Sequence, residues 1–166
     1  MSTDIRPMAP ANKATLVGIT ARTGYFSEEE VATADEVLTE CACKGDASGY
    51  FTQVAWEDGE PVGYVTYGPV PLTAASYDIY WIAVDPTRQG RGTGKALMVA
   101  AQAAIWAAGG RLMLAETSSR DQYAPTHRFY RSAGFEVLSR IDDFYDEGDA
   151  LLVFGKRLGG TQPMVP

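Results

Sequence analysis

Three glycines alternate with other residues between Val84 and Lys95, in the segment VDPTRQGRGTGK. Gly90, Gly92 and Gly94 let the backbone approach a ligand closely and adopt conformations that other residues avoid. The segment leads into an Ala-rich stretch with helical periodicity, and the first turn of a helix presents unpaired N–H groups at its positive dipole end. Two arginines and a lysine add positive charge. The pattern therefore predicts a cradle for a phosphate or a diphosphate.

Two well-known glycine-rich phosphate loops do not fit this segment. A Walker loop carries Ser or Thr after its Gly-Lys pair, whereas Gly94-Lys95 is followed by Ala96. A dinucleotide-binding fingerprint follows the first strand of a βαβ unit and needs a third glycine at a spacing that this segment lacks. The pattern therefore predicts a phosphate loop of another kind, with a glycine-rich connector that carries incidental arginines as the alternative interpretation.

Two carboxylates are the candidates for proton transfer. Asp78 lies in the apolar run from Tyr77 to Val84, which is typical of a central strand covered on both faces. Simple strand alternation predicts that Asp78 shares a face with Tyr80 and Ile82, and partial burial there would raise its pKa. Glu116, at the end of the next buried strand, is the competing candidate. Either residue could equally be a hydrogen-bonded or solvated strand residue without a chemical role.

The histidine and cysteine content does not suggest a metal site. His127 is the only histidine, and we expect it on an exposed helix face. Cys41 and Cys43 lie near the end of a predicted helix, where a spacing of two residues points their side chains in different directions. We therefore expect neither a disulfide nor a transition-metal site, and a cytoplasmic location is the simplest interpretation.

The elements that must position these residues follow an order typical of an α/β protein with a mixed sheet. Strands are predicted at residues 3–8, 51–56, 62–67, 77–84, 111–116, 135–141 and 150–156. Helices are predicted at residues 10–23, 27–44, 94–108 and about 125–133. Ser27 and Glu30 have the spacing of a capping box, and Asp58-Gly59 is typical of a hairpin turn. Residues 142–149 are predicted to form a loop.

Length and composition indicate one globular domain, expected at residues 1–158, followed by a loose tail at 159–166. The chain has 166 residues, of which 46% are hydrophobic and 21% charged. Its net charge of -7 argues against sequence-independent nucleic-acid binding and against adhesion to an anionic membrane. No segment approaches the roughly 20 apolar residues of a membrane-spanning helix. The first ten residues lack the pattern of a signal peptide.

Two segments together resemble a known family. Gln89-x-x-Gly92-x-Gly94, after a strand that ends in IAVDP, resembles the acyl-CoA pyrophosphate loop of the GNAT superfamily of N-acetyltransferases. The segment from His127 to Phe135, in which a tyrosine precedes a Gly-Phe pair, is similar to that family's helix-and-strand motif. With the order of elements, the resemblance covers nearly the whole chain. It implies a single-domain GNAT-like α/β fold with a mixed sheet of about seven strands and about four helices.

The resemblance implies acetyl-CoA as the acyl donor and an amine as the acceptor. It implies that the CoA pyrophosphate and pantetheine arm bind at Ile82, Ala83, Val84, Gln89, Gly90, Arg91, Gly92, Thr93, Gly94 and Lys95. Tyr130 would protonate the leaving thiolate, although an aromatic packing role is its alternative. Asp78 stands where some members carry a catalytic carboxylate. Tyr123 stands where many members carry an asparagine, a departure that affects one cofactor contact.

Acidic and aromatic residues suggest where the acceptor binds. Tyr25, Phe26, Glu28 and residues 142–147 would suit an amine cation, although a solvated acidic turn is an equally good interpretation. The main prediction is acetyl transfer to a primary amine, favouring a small molecule, by direct attack in a ternary complex without a metal. The alternatives are a non-catalytic acyl-CoA-binding or sensing domain and a nucleotide-binding module. A homodimer is a further expectation, because dimers are common among relatives.

Overall fold

The computed structural model describes residues 3–159, so residues 160–166 of the predicted tail lie outside the described residues. The strands are β1 (Asp4–Pro7), β2 (Phe51–Glu57), β3 (Glu60–Pro69), β4 (Ser76–Val84), β5 (Leu112–Ser118), β6 (Glu136–Asp146) and β7 (Asp149–Arg157). The four α-helices of this region are α1 (Lys13–Arg22), α2 (Glu28–Lys44), α3 (Thr93–Ala107) and α4 (Ala124–Ser132). The predicted α/β class, seven-stranded sheet and four helices are confirmed.

The seven strands form one mixed sheet in the order β1-β2-β3-β4-β5-β7-β6. Every neighbouring pair is antiparallel except β4 and β5, which are parallel. The pairing of β4 with β5 extends only from Ser76↔Leu112 to Asp78↔Leu114. Because β4 continues to Val84 and β5 to Ser118, the two central strands separate beyond Asp78. The sheet is therefore split in its middle.

Two layers of side chains cover the two faces of the sheet. Leu97 and Ile105 of α3, with Tyr130 of α4, pack on one face. Leu16 and Ile19 of α1, with Leu38 of α2, pack on the other face. Within residues 3–159, no helix has both the length and the apolar character needed to cross a bilayer. The sheet thus has α1 and α2 on one face, and α3 and α4 on the other.

Two local predictions are confirmed in detail. The Ser27 hydroxyl accepts the Glu30 N–H at 3.1 Å, and the Glu30 carboxylate accepts the Ser27 N–H at 2.7 Å, so the capping box at the start of α2 is complete. Asp58 and Gly59 have φ angles of 52° and 82°, and the turn between β2 and β3 therefore has the two left-handed residues that a type I′ hairpin requires.

The alternation predicted for β4 is wrong. The register between β3 and β4 shifts at Tyr80, which is an extra residue on β4 and forms a bulge. Ile79 and Ile82 consequently pack into the same core layer, whereas Ala83 packs into the opposite one. Asp78 precedes Ile79 and points to the other face, so it does not share a face with Ile82. The strand is only half-buried over most of its length because it borders a cavity.

The loop predicted at residues 142–149 is also wrong. β6 extends to Asp146 and β7 begins at Asp149, which leaves a two-residue turn. The register is irregular between Ile141 and Asp146, and Asp143 has a φ of 54°, as in a bulged edge strand. All residues of β6 are exposed. An edge strand needs no buried apolar face, so residues 142–146 lack the alternation that would distinguish a half-buried strand from a loop.

Candidate active site

A cavity of about 740 Å³ lies where β4 and β5 separate. Of the residues proposed from the sequence for donor binding and proton transfer, the cavity is lined by Ile82, Ala83, Val84, Gln89, Gly90, Gly92, Thr93, Gly94, Lys95, Glu116 and Tyr130. Arg91 and Asp78 are not among its lining residues. The fold therefore brings most of the predicted residues into one space, although they come from four elements and a loop.

The glycine-rich loop ends in an open helix N-terminus. Gly90 and Gly92 have φ angles of 75° and 87°, a region that favours glycine. The first helical hydrogen bond of α3 runs from the Ala96 N–H to the Gly92 carbonyl at 2.9 Å. The N–H groups of residues 93–95 consequently have no acceptor within the helix. These donors and the helix dipole suit a diphosphate.

Side chains of the loop hold its shape and leave the backbone for a ligand. The Gln89 side-chain amide donates to the Val84 carbonyl at 3.0 Å, which ties the loop to the end of β4. The Thr93 hydroxyl donates to the Glu57 carboxylate at 3.0 Å. A Cβ on Gly94 would lie 3.3 Å from the Phe129 ring, so glycine permits the close approach of α3 and α4. Gln89 therefore has a structural partner, besides lining the cavity.

The edge of β4 that faces the split is available for an extended ligand. Beyond the Asp78↔Leu114 pair, β4 has no β5 partner among the described residues. The segment Ile82–Val84 pairs with β3 on its other side and lines the cavity. Backbone groups directed into the split can hydrogen-bond an extended chain as an added strand does. The residues present therefore fit a long, flexible ligand that ends in a diphosphate.

Tyr130 is a buried phenol in an aromatic cluster. Its ring lies 5.4 Å from that of Phe154, 5.5 Å from that of Phe135 and 5.7 Å from that of Phe129. Its side chain is 6% exposed, and its hydroxyl has no hydrogen-bond partner among residues 3–159. Burial raises the pKa of Tyr130 to about 12. The phenol therefore stays protonated at neutral pH and can donate a proton into the cavity.

The two candidate carboxylates occupy different positions. Glu116 lines the cavity, whereas Asp78 lies beside the last β4–β5 pair, outside the lining. Burial, and then the neighbouring charge of Glu116, raises the pKa of Asp78 above its ordinary value. Proton exchange with the cavity contents is therefore more direct from Glu116 than from Asp78.

We expect Asp78→Asn to be more stable than the unmodified protein at pH 7. A carboxyl whose pKa rises on folding is protonated more readily in the folded state, so its ionised form lowers the free energy of unfolding. This destabilisation disappears as the pH falls through the raised pKa of Asp78 in the folded protein towards the pKa of about 4 that it has in the unfolded chain. Thermal unfolding from pH 3 to 8 checks the result, and a gain that is equal at both ends of this range would contradict it.

Nothing in the sequence indicates that several residues of the cavity wall belong to the site. Asp149 is buried in the cavity wall, where its carboxylate accepts the Ser118 hydroxyl at 2.5 Å and pairs with the Arg120 guanidinium at 3.0 Å. Glu30 also lines the cavity. These side chains come from α2, β5, β7 and the segment after β5, so no local pattern connects them. Among the described residues, no group of three or more His, Cys, Asp or Glu side chains is placed to hold a metal ion.

The predicted position of His127 is wrong. It is half-buried, stacks on the Phe154 ring at 5.7 Å, and its Nε2–H donates to the Ser118 carbonyl at 2.9 Å. The bond ties α4, one turn before Tyr130, to the end of β5. A lone histidine in an amphipathic helix gives no indication of such a contact.

Part of the predicted acceptor region lies in the cavity wall. Tyr25, Phe26 and Tyr145 line the cavity, whereas Glu28 and the acidic residues of segment 142–147 do not. The Tyr123 hydroxyl donates to the Tyr25 carbonyl at 3.2 Å, across 98 residues of chain. Tyr123, which stands where many relatives carry an asparagine, thus joins the loop between α1 and α2 to the segment before α4.

Comparisons with known proteins agree with this geometry. A sequence model of the acetyltransferase (GNAT) domain matches residues 47–137. A GNAT-family protein from Desulfovibrio desulfuricans, known from a crystal structure, has 38% sequence identity to this chain. The match covers 95% of this chain and 100% of that one, with a TM-score of 0.92. The chain therefore belongs to the GNAT acetyltransferase family. Its class is accordingly that of the acyltransferases.

More distant structures share the fold. The paia N-acetyltransferase of Thermoplasma acidophilum, solved with coenzyme A, is 18% identical, with a TM-score of 0.73 over 95% of this chain and 99% of that one. The yncA protein of Salmonella typhimurium, solved with acetyl-CoA, is 19% identical, with a TM-score of 0.72 over 98% of this chain and 97% of that one. A comparison with curated proteins finds no match.

Proposed function

We propose that this chain transfers an acetyl group from acetyl-CoA to a primary amine of a small molecule, by direct attack in a ternary complex. The observation that carries the proposal is that one cavity contains an open helix N-terminus and two groups suited to proton transfer, Glu116 and Tyr130. Acetyl transfer to an amine needs these parts together: an anion site for the donor, a base and an acid.

The donor would bind along the glycine-rich loop and β4. The N–H groups at the start of α3 would hold the pyrophosphate, and Lys95 adds positive charge beside them. The free edge of β4 at Ile82–Val84 would hydrogen-bond the pantetheine arm. It would also direct an N–H at the thioester carbonyl, where negative charge develops during attack. Distant relatives with the same fold were solved with CoA or acetyl-CoA, which supports an acyl-CoA as the donor.

The proton transfers would be divided between a carboxylate and a phenol. An amine is mostly protonated at neutral pH, so it would first lose one proton to solvent, and Glu116 would accept the second proton from the attacking nitrogen, directly or through a water. The amine nitrogen then bonds to the thioester carbon, and the C–S bond breaks as the tetrahedral intermediate collapses. Tyr130 would donate its proton to the departing thiolate sulfur. Asp78, beside Glu116, is the second candidate for the base.

The experiment that tests the proposal measures CoA release over a panel of amines, with acetyl-CoA binding measured separately by calorimetry. We expect turnover with at least one small amine. Binding without turnover on any amine would instead favour the acyl-CoA-sensing alternative. Competition of ATP or NAD with acetyl-CoA would favour the nucleotide-binding alternative.

We expect Glu116→Gln to lower kcat/KM for the amine by about 100-fold, at the lower end of the range for general-base catalysis. Affinity for acetyl-CoA should change little, because Glu116 lies away from the pyrophosphate loop. Glu136→Gln is the matched control, since Glu136 is an exposed carboxylate on β6 outside the cavity lining. A larger fall in kcat/KM in Asp78→Asn than in Glu116→Gln would show that Asp78 is the general base.

We further propose a cytoplasmic location. Cys41 and Cys43 are both free, which fits a reducing compartment. The homodimer and the domain boundary at residue 158 stay predictions, and sedimentation equilibrium with limited proteolysis tests both.

A further inference from the structure

The acceptor half of the cavity has unbalanced negative charge. Glu30, Glu116 and Asp149 all line it. Arg120 lines it too, but its guanidinium is already paired with Asp149 at 3.0 Å and with Asp146 at 3.6 Å. Within the described part of the chain, neither Glu30 nor Glu116 has an ion-pair partner. Two carboxylates therefore lack a cation.

Glu30 is held in place without losing its charge. It is the third residue of α2, where one carboxylate oxygen accepts the Ser27 N–H at 2.7 Å in the capping box. This backbone bond orients the side chain and leaves the second carboxylate oxygen without a hydrogen-bond partner in the described residues. Glu30 thus presents a fixed negative charge in the cavity wall.

Aromatic residues line the cavity together with these carboxylates. Tyr25, Phe26, Tyr123 and Tyr145 line this half of the cavity, and the bond from Tyr123 to Tyr25 connects two of the segments that carry them. Burial, and then the charges of Glu116, Asp149 and Glu30, raises the pKa of Tyr145. One phenol is thus close to all three carboxylates. Aromatic faces and carboxylates together are a typical environment for an ammonium group.

An independent feature marks the reacting end of the cavity. The Tyr130 side chain is 6% exposed, and its hydroxyl lacks a hydrogen-bond partner among residues 3–159. In the proposed function this hydroxyl and Glu116 serve the reacting amine. Glu116 takes the proton of that amine, so the charge of Glu30 remains for a second cationic group.

Resting on the proposed function, we propose that the acceptor carries a second positive charge, as in a diamine or larger polyamine, and that Glu30 selects it. The distal ammonium keeps its proton and binds Glu30 among the aromatic rings. The reacting amine, neutral after losing one proton to solvent, bonds to the thioester carbon and gives a second proton to Glu116. The C–S bond breaks as the tetrahedral intermediate collapses, and Tyr130 protonates the thiolate and regains a proton from solvent. Glu30 is therefore a specificity-determining residue and takes no part in the proton transfers.

Glu30→Gln tests this directly, because glutamine preserves the capping box while removing the charge. Glu29→Gln is the matched control: it removes the same charge from the same helical turn, outside the cavity lining. The probes are diaminobutane and aminobutane, matched in chain length. We expect the unmodified protein to prefer diaminobutane. We expect Glu30→Gln to raise the KM for diaminobutane about fivefold, the effect of one partly exposed ion pair.

The KM values for aminobutane and acetyl-CoA should stay unchanged in Glu30→Gln, and Glu29→Gln should behave like the unmodified protein. Equal KM changes for both amines, no change for either, or a preference for aminobutane would overturn the proposal for Glu30 while leaving N-acetyl transfer intact. Acetyl-CoA binding without turnover of any amine would overturn both proposals.

Discussion

Gly92→Val is expected to weaken acetyl-CoA binding about 100-fold. Gly92 caps α3 with a φ of 87°, and a β-branched residue is strained by about 1–3 kcal/mol in such a conformation. An added Cβ would meet no atom within 4 Å, so the effect acts through the backbone and not through a clash. Relief of the strain rotates the neighbouring peptides and turns their N–H groups away from the pyrophosphate. Isothermal titration calorimetry with acetyl-CoA measures the change.

Gly109→Val is the matched control for this substitution. Gly109 follows the other end of α3, has a φ of 91°, and likewise has no atom within 4 Å of an added Cβ. We expect a similar loss of thermal stability in both variants and a loss of binding only in Gly92→Val. Unchanged binding in folded Gly92→Val would show that this loop does not hold the pyrophosphate.

Tyr130→Phe is expected to lower kcat about 100-fold while the KM for acetyl-CoA stays nearly unchanged. A pKa of about 12 keeps the phenol protonated, so the substitution removes a proton donor. The loss lies at the low end of the range for general acids, because a CoA thiolate departs tolerably without protonation. Phenylalanine preserves the packing against Phe135 and Phe154. Steady-state kinetics with an accepted amine provides the measurement.

Tyr64→Phe is the control for losing a buried phenol. Burial, partly offset by the hydrogen bond between Tyr64 and Thr20, raises the pKa of Tyr64 to about 12 as well. Its hydroxyl pairs with that of Thr20 at 2.6 Å, in the core layer under α1. We expect unchanged kcat and a free energy of unfolding lower by about 1 kcal/mol. If turnover is normal in Tyr130→Phe, Tyr130 is a packing residue.

The predictions that succeeded depend on neighbours a few residues apart. The Ser27–Glu30 capping box, the Asp58-Gly59 turn and the end of α2 near Gly45 each follow from hydrogen bonds or dihedral preferences within one turn of chain. The left-handed glycines of the loop and the open N–H groups behind them are local features as well, whereas the binding role of the loop stays a proposal. A sequence can encode such features without information about the rest of the fold.

The predictions that failed depend on partners far along the chain. The bulge at Tyr80 comes from the register with β3, and it reverses which face each following residue of β4 occupies. The second half of β6 returns to β7 at the Asp146↔Asp149 pair, after an irregular stretch that begins at Ile141. His127 is half-buried because the end of β5 lies beside α4. A single-segment pattern contains none of these contacts.

The same division separates the two halves of the candidate site. The donor half was determined by the sequence, because a strand, a glycine-rich turn and a helix N-terminus in succession create an anion site by themselves. The acceptor half was decided by the tertiary structure. Glu30, Glu116 and Asp149 come from α2, β5 and β7, and they meet only because β4 and β5 separate and leave a cavity between them. Their charges act together through space, so only the packing of distant elements could reveal an environment suited to a cationic amine.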